Sequence, residues 1–165
     1  MKTNLKYIIA FLIFCIIAFA GYKFFSKQKN ATSNLIPNIQ LQSIEDKLVS
    51  LRTDSNKFHF LIFFDSKCEH CQAEATLLQK HLSDFKNAEI TFISMEKMRN
   101  IKIFAADYQF KNIPNITFCQ IEPEVLSKEF GNMGFPTIFI YNPQNQLVDK
   151  LSGQVKIEDL AKYLK

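Results

Sequence analysis

Two cysteines separated by two residues form the motif with the clearest chemistry in this sequence, Cys68-Glu69-His70-Cys71. The motif falls where an apolar run, residues 58–64, gives way to a segment with helical spacing. A helix N-terminus presents free N–H groups and a positive dipole end, both of which stabilise a thiolate at Cys68. Cys71 lies one turn further on, close enough to close a small disulfide ring. The motif therefore predicts thiol–disulfide exchange, in which Cys68 attacks a partner's disulfide and Cys71 resolves the mixed disulfide.

The residues around the motif leave other uses open. His70 can add positive charge or a hydrogen bond near the Cys68 sulfur, which favours the dithiol form, whereas Glu69 opposes this electrostatically. A structural metal site and an inert stabilising disulfide are the alternatives. Zinc normally takes four ligands, and Cys119, the other cysteine after the first 25 residues, falls on a separate predicted strand. We expect no metal and no organic cofactor, because the cysteine pair itself carries the electrons.

The charge of the chain is divided between a basic N-terminus and a near-neutral remainder. Of 165 residues, 47% are hydrophobic and 22% are charged, which is enough apolar surface for a packed core and excludes a disordered chain. The first thirty residues contain five lysines and no acidic residue. Removing these five from the 20 basic residues leaves 15 against 16 acidic ones. The net charge of +4 therefore does not indicate a nucleic-acid-binding domain.

The N-terminus predicts a membrane anchor or a signal peptide over residues 1–25. Residues 7–22 carry no charge, and neighbouring apolar residues extend the span to 5–25. Cleavage after Ala20 is the alternative, because residues 18–20 have the small-x-small form of a signal peptidase site. Residues 26–36 are polar and predict a tether, so the folded domain is expected over 37–165.

The spacing of apolar residues in this domain predicts strands that alternate with helices. A hairpin is expected around residues 39–51, and a strand at 58–64 precedes the C-x-x-C motif. Further predicted elements are a helix at 69–85, a strand at 90–94, a helix at 98–110, a strand at 116–121, a helix at 124–130, a hairpin at 137–151 and a helix at 157–164. This order predicts an α/β fold, with a mixed central sheet flanked by helices.

Pro136 stands just before a predicted interior strand, in the segment Gly134-Phe135-Pro136-Thr137. A proline there removes a donor from the sheet. A cis peptide bond, which is almost always an X-Pro feature, is one solution because it turns the chain sharply. An ordinary turn proline is the alternative.

Together these segments resemble the thioredoxin-like fold, and in particular the TlpA/ResA-type thiol–disulfide oxidoreductases, the membrane-tethered, extracytoplasmic branch of the redoxin/AhpC-TSA-like superfamily. The resemblance covers most of residues 35–165. It rests on the hairpin before FHFLIFF, the CEHC motif, the GFPTIFIY segment and the strand at 146–153. Residues 97–121 resemble the extra helix–strand unit of this branch.

The resemblance also implies roles for individual residues. Pro136 would be cis and face the C-x-x-C motif, and Phe135 would offer backbone hydrogen bonds to the substrate chain. Glu74 matches a glutamate that assists proton transfer for the buried cysteine, while a solvated first-turn glutamate is the alternative. Lys67 departs from the family pattern, which has tryptophan at this position, and this indicates a different partner or added positive potential beside Cys68.

We therefore expect an extracytoplasmic enzyme that exchanges disulfides with partner proteins, as a reductase more than as an oxidase. The resemblance implies protein dithiol or disulfide substrates and, for a reductase, a membrane electron donor. It also implies an inner-membrane anchor with the domain in the periplasm, or secretion to the periplasm after cleavage. A disulfide oxidase or isomerase and a non-catalytic docking domain are the alternatives.

Other uses of the fold are not favoured by the residues. A peroxidase would need threonine where Asp65 stands, and a copper-delivery protein would need a distal histidine that the sequence lacks. His59, on an apolar strand, is expected to be a structural histidine, and Cys119 a small buried residue. Glu96 follows the second buried strand, but the sequence alone does not place it near the cysteines.

Overall fold

The computed structural model describes Tyr7, residues 34–53 and residues 55–164. The chain divides into two units, Met1–Ser33 and Asn34–Lys165, and the elements below belong to the second. The predicted span at 5–25 lies outside the described residues except for Tyr7, as does most of the predicted tether. Within the described ranges, no helix combines the length and apolar character that a membrane crossing requires.

Seven strands form one mixed sheet in the described part of the chain, in the order β2-β1-β5-β4-β3-β6-β7. They are β1 Gln40–Ser43, β2 Leu48–Ser50, β3 Phe58–Phe63, β4 Ala88–Ser94, β5 Ile116–Gln120, β6 Thr137–Tyr141 and β7 Leu147–Ser152. The central strands β3, β4 and β5 run parallel, whereas β6, β7 and the β1–β2 hairpin pair antiparallel. The predicted α/β fold with a mixed sheet and an N-terminal hairpin is confirmed.

Helices cover both faces of this sheet. They are α1 Glu69–Lys80, α2 Met98–Asp107, α3 Pro123–Phe130 and α4 Ile157–Ala161. Buried residues of α1, α2 and α4 share one core with the even-numbered side chains of β3, and α3 packs into a second core with the odd-numbered ones. Because successive strand residues point to opposite faces, the continuous apolar run of β3 supplies both cores.

The predicted helix at 69–85 ends earlier than its apolar stripe. Helix α1 stops at Lys80, and a 3-10 turn, Leu82–Phe85, follows the irregular residue His81. This tighter turn still brings Phe85 into the core, where its ring meets that of Phe60 edge to face at 5.9 Å. The spacing of the buried residues therefore continues although the helix changes from α to 3-10. Apolar periodicity does not detect this change.

Phenylalanine rings fix the packing of α2 and of the segment that leads to the C-x-x-C motif. Phe92 on β4 and Phe118 on β5 are register partners whose rings stack at 4.5 Å. Phe64, the residue after β3, packs on Phe104 of α2 with ring centroids 4.5 Å apart. Large buried rings in contact contribute several kcal/mol to the core, and here they hold the end of β3 against α2.

His59 is a buried structural residue of β3. Its Nε2 lies 2.8 Å from the Thr91 hydroxyl, while Nδ1 makes no hydrogen bond of normal geometry within the described part of the chain. Burial lowers the pKa of His59 to about 4, and the Glu89 carboxylate and the Leu51 backbone only partly oppose this. The folded state therefore keeps this histidine neutral.

The neutral state of His59 predicts a pH dependence of stability. Between pH 6.5 and about 4 the unfolded histidine binds a proton that the folded one does not, so this contribution to the free energy of unfolding falls as pH is lowered. The slope is at most about 1.4 kcal/mol per pH unit. We expect the free energy of unfolding, measured with urea at pH 4–7, to depend less steeply on pH in His59→Gln than in wild type. The control His81→Gln should keep the wild-type slope. Equal slopes in His59→Gln and wild type would contradict the account.

Candidate active site

The candidate site lies at the carboxyl ends of the parallel strands. The chain leaves β3 at Phe63 and reaches Cys68 five residues later, at the start of α1. Because β6 runs antiparallel to β3, its first residue, Thr137, is the register partner of Phe63. The sheet therefore brings the C-x-x-C motif and the segment around Pro136 together, although Cys68 and Phe135 are 67 residues apart in sequence.

Cys68 is the half-buried member of the cysteine pair. It is the N-cap residue of α1, and its backbone carbonyl accepts a hydrogen bond from Gln72 N–H at 3.0 Å. Its thiol donates to the Phe135 carbonyl, with Sγ and oxygen 3.6 Å apart. The Phe135–Pro136 peptide bond is cis. The Cys68 sulfur thus lies beside the backbone of the segment that precedes β6.

Cys71 lies beneath Cys68 on the inner face of α1 and is 3% exposed. Cys68, Cys71 and Cys119 are free thiols in the described part of the chain. Burial raises the pKa of Cys71 to about 12, and Cys68 and Glu74 act in the same direction, against the Asp65 backbone. Cys71 is therefore a thiol at neutral pH and needs a proton acceptor before it can attack.

Glu74 lies on the same buried face of α1, one turn after Cys71. Neither of its carboxylate oxygens has a hydrogen-bond partner among the residues that the structure describes. Burial raises the pKa of Glu74 to about 8, so the group exchanges its proton near physiological pH. The alternative of a solvated first-turn glutamate does not fit this burial.

His70 and Lys67 are exposed beside the cysteines. His70 Nδ1 lies 3.3 Å from Gln154 Oε1, in the segment between β7 and α4. The expected hydrogen bond from His70 to the Cys68 sulfur is not among those of the described residues. His70 therefore lies at the rim of the site.

Four polar residues of the site were not assigned to it from the sequence. Ser66, in the turn before Cys68, donates to the carboxylate of Glu96, which follows β4. Asn100 donates to the same carboxylate, and Gln72 donates to the Ser66 carbonyl. The signal that could have found them is topological, because residues after neighbouring parallel strands meet at one edge of the sheet.

Metal binding finds no ligand set in the described residues. No group of three or more His, Cys, Asp or Glu side chains within them is arranged to hold a metal ion. Cys119, on β5, is fully buried, and burial raises the pKa of its thiol to about 12. This thiol is separate from the pair at the start of α1.

Comparison with known proteins places the chain among similar sequences and folds. The profile of the AhpC/TSA family matches residues 32–150. A thiol-disulfide oxidoreductase ResA of Bacillus thuringiensis subsp. konkukian is 24% identical over 173 residues, covering all of this chain and 98% of the relative.

Two solved structures share the fold at lower identity. The thioredoxin domain of a thiol-disulfide oxidoreductase from Bacteroides vulgatus aligns at a TM-score of 0.65 and 18% identity, over 81% of this chain and 95% of its own. Xanthomonas campestris peroxiredoxin Q aligns at a TM-score of 0.62 and 16% identity, over 80% of this chain and 94% of its own. Both similarities concern the fold alone.

The burial of Glu74 predicts an unusual titration. We expect the side-chain carboxyl carbon of Glu74, observed by ¹³C NMR, to titrate with a midpoint near pH 8. The Glu74→Gln variant, which removes this signal, assigns it. Because the unfolded chain loses this proton near pH 4.5 and the folded chain near pH 8, the free energy of unfolding should also fall as pH rises between these values. A midpoint near 4.5 would show that the carboxyl is solvated.

Proposed function

We propose that this chain, which belongs to the AhpC/TSA family, is a thiol–disulfide oxidoreductase that reduces disulfides of partner proteins outside the cytoplasm. One observation carries the proposal. A half-buried thiol at a helix start, Cys68, lies above a buried thiol, Cys71, and a buried carboxyl with no hydrogen bond from the described residues lies one turn away. This arrangement contains an attacking thiol, a resolving thiol and a proton acceptor.

The resemblance inferred from the sequence agrees with the comparisons. The family match and the ResA relatives confirm the assignment to the redoxin superfamily and its ResA-type members. The structural similarity confirms the thioredoxin-like fold. The name of the ResA relatives supports the proposed reaction class, and the alignment covers 98% of the Bacillus thuringiensis relative.

The proposed reaction begins with Cys68. Its thiolate attacks one sulfur of the partner's disulfide; the S–S bond breaks, a mixed disulfide forms and the partner's other sulfur leaves as a thiolate. Cys71 then gives up its proton and attacks the Cys68 sulfur, which releases the second partner thiolate. The chain ends as the Cys68–Cys71 disulfide, and two electrons have passed to the partner, whose two thiolates take up protons.

Glu74 is proposed to accept the proton of Cys71 in the second step. Both groups lie on the buried face of α1, and the charge of Glu74 raises the pKa of Cys71. Burial has brought the pKa of Glu74 to about 8, which suits a base that works near neutral pH. Phe135 and the cis Pro136 are proposed to dock the substrate backbone, since the Phe135 carbonyl already accepts a hydrogen bond from Cys68.

The direction of electron flow is proposed from the environment of Cys71. A cysteine pair is oxidising when a stabilised thiolate favours its dithiol form over its disulfide form. Here burial disfavours the Cys71 thiolate, and the nearby Glu74 adds to this. A comparatively stable disulfide follows, and the dithiol form is a good reductant. A dithiol donor in the membrane is proposed to regenerate it.

A peroxidase is the second function that the comparisons raise, because peroxiredoxin Q shares the fold. The sequence has Asp65 where a peroxidase of this kind would carry threonine. In the structure, the side chain of Asp65 accepts a hydrogen bond from Lys67 N–H at 2.8 Å, within the turn itself. Disulfide exchange is therefore the function we favour.

The cellular placement is proposed from the N-terminal sequence. The uncharged stretch at 7–22, flanked by lysines, supports an anchor over residues 5–25, or cleavage after Ala20. Residues 26–36 then serve as a tether, and the thioredoxin-like domain at 37–165 works in the periplasm. Protein disulfides in that compartment are its proposed substrates.

The role of Cys68 gives a direct prediction. We expect the full-length chain to catalyse reduction of a protein disulfide by dithiothreitol, and Cys68→Ser to lower the rate to the uncatalysed level. The control Cys119→Ala removes a thiol far from the motif in sequence and should keep the activity. Unchanged turnover in Cys68→Ser, measured by the same assay, would contradict the mechanism.

Loss of Cys71 predicts a trapped intermediate. In cells that produce the Cys71→Ser variant, the mixed disulfide between Cys68 and a partner protein cannot be resolved. The partners should therefore remain attached to the variant in non-reducing gels, where mass spectrometry identifies them. The matched Cys68→Ser/Cys71→Ser variant should trap none. Envelope proteins as partners support the proposed location. Exclusively cytosolic partners would contradict it.

A further inference from the structure

One carboxylate holds the turn that carries Cys68 to the neighbouring strand. Ser66 donates twice to Glu96, from its backbone N–H to Oε2 at 2.8 Å and from its hydroxyl to Oε1 at 2.8 Å. Asn100, in the first turn of α2, donates to Oε1 at 3.1 Å. Hydrogen bonds to an ionised acceptor are shorter and stronger than neutral ones, so this carboxylate is a firm attachment point for Ser66.

Glu96 is itself fixed to the sheet through its backbone. Its N–H donates to the hydroxyl of Ser94, the last residue of β4, at 3.2 Å. Its carbonyl accepts a hydrogen bond from the side chain of Gln120, the last residue of β5, at 2.9 Å. The carboxylate that holds Ser66 is therefore anchored to the ends of two central strands.

The turn held by Glu96 contacts both sulfur-bearing residues. Cys68 N–H donates to the Asp65 carbonyl at 3.2 Å, which closes the turn around Ser66. The Asp65 backbone also lies at the Cys71 sulfur, where it favours the thiolate. A further bond, from the Gln72 side chain to the Ser66 carbonyl at 2.8 Å, ties the turn to α1. A displacement of Ser66 would therefore move Cys68 relative to Cys71.

We propose that Glu96 is a positioning residue for disulfide exchange, which keeps Cys68 and Cys71 in the geometry that closes their disulfide ring. The inference rests on the proposed function. Ring closure depends on the effective concentration of one thiol at the other, which falls when the connecting turn gains freedom. Without the Glu96 carboxylate, Ser66 loses two partners, and the ring disulfide becomes weaker relative to glutathione disulfide.

The test measures the equilibrium between the Cys68–Cys71 dithiol and glutathione disulfide. The full chain carries Cys15→Ser, and acid-quenched samples are analysed by mass spectrometry. We expect Glu96→Ala to lower the equilibrium constant on the order of tenfold. Glu96→Gln should lower it less, because the amide oxygen still accepts one hydrogen bond from Ser66. The control Glu124→Ala, on the exposed surface of α3, should match wild type.

Several outcomes would overturn the positioning role. A Glu96→Ala value equal to wild type is one, and a Glu96→Gln value as low as that of Glu96→Ala is another. If Glu96→Ala fails to fold by circular dichroism, Ser66→Ala and Asn100→Ala each remove one bond to the carboxylate. Wild-type equilibrium constants in both would overturn the proposal. The glutathione equilibrium can be measured even if the chain reduces no protein disulfide. Failure to reduce any protein disulfide would overturn the proposed function and not the positioning role.

Discussion

Burial of one face of α1 is the constraint on which the candidate site depends. The helical period places Cys71, Glu74 and Ala75 against the core while Cys68 stays at the helix start, half exposed. The two thiols, three residues apart, therefore lie in different environments, one in the core and one partly exposed to water. Desolvation keeps the inner thiol protonated and raises the pKa of the nearby carboxyl to about 8, whereas the outer sulfur can meet a partner. A buried carboxyl without hydrogen bonds is costly, and its position beside the inner thiol supplies a chemical reason for it.

The sheet supplies the second requirement, which is a fixed edge where distant segments meet. The turn after β3, Glu96 after β4 and the cis Pro136 before β6 lie at one end of neighbouring strands. Phenylalanine rings of β4, β5 and α2 pack against one another and hold these three elements together. Packing far from the sulfurs is thereby connected to their geometry, because Ser66 in the turn after β3 donates both hydrogen bonds to Glu96, which follows β4.

Much of this arrangement follows from sequence patterns. The apolar run of β3, the helical stripe of α1 and the turn before Pro136 were each predicted in place, because local spacing decides which face is buried. The ends of helices were less well predicted. Asp107 ends α2, and the chain then bends at Gln109, with a positive φ of 58°, so that Phe110 still enters the core. Periodicity registers the buried phenylalanine and does not register the turn that delivers it.

Local sequence patterns could not predict the polar contacts of the site. Glu96 and Ser66 are 30 residues apart, and their bonds exist only because β3 and β4 pair in parallel register. His70 shows the reverse case, since its position in the motif favoured a contact with Cys68 and its hydrogen bond goes to Gln154. Side-chain direction on the first turn of a helix depends on what packs beside it, here the segment after β7.

The reduction potential of the Cys68–Cys71 pair tests the central claim most directly. Equilibration of the full-length chain with dithiothreitol or glutathione redox buffers, followed by thiol labelling, gives this value for wild type. A pair whose inner thiolate is disfavoured by burial should be reducing, with a potential close to that of thioredoxin, about −270 mV. A potential near that of a strong oxidant such as DsbA, about −120 mV, would contradict the account.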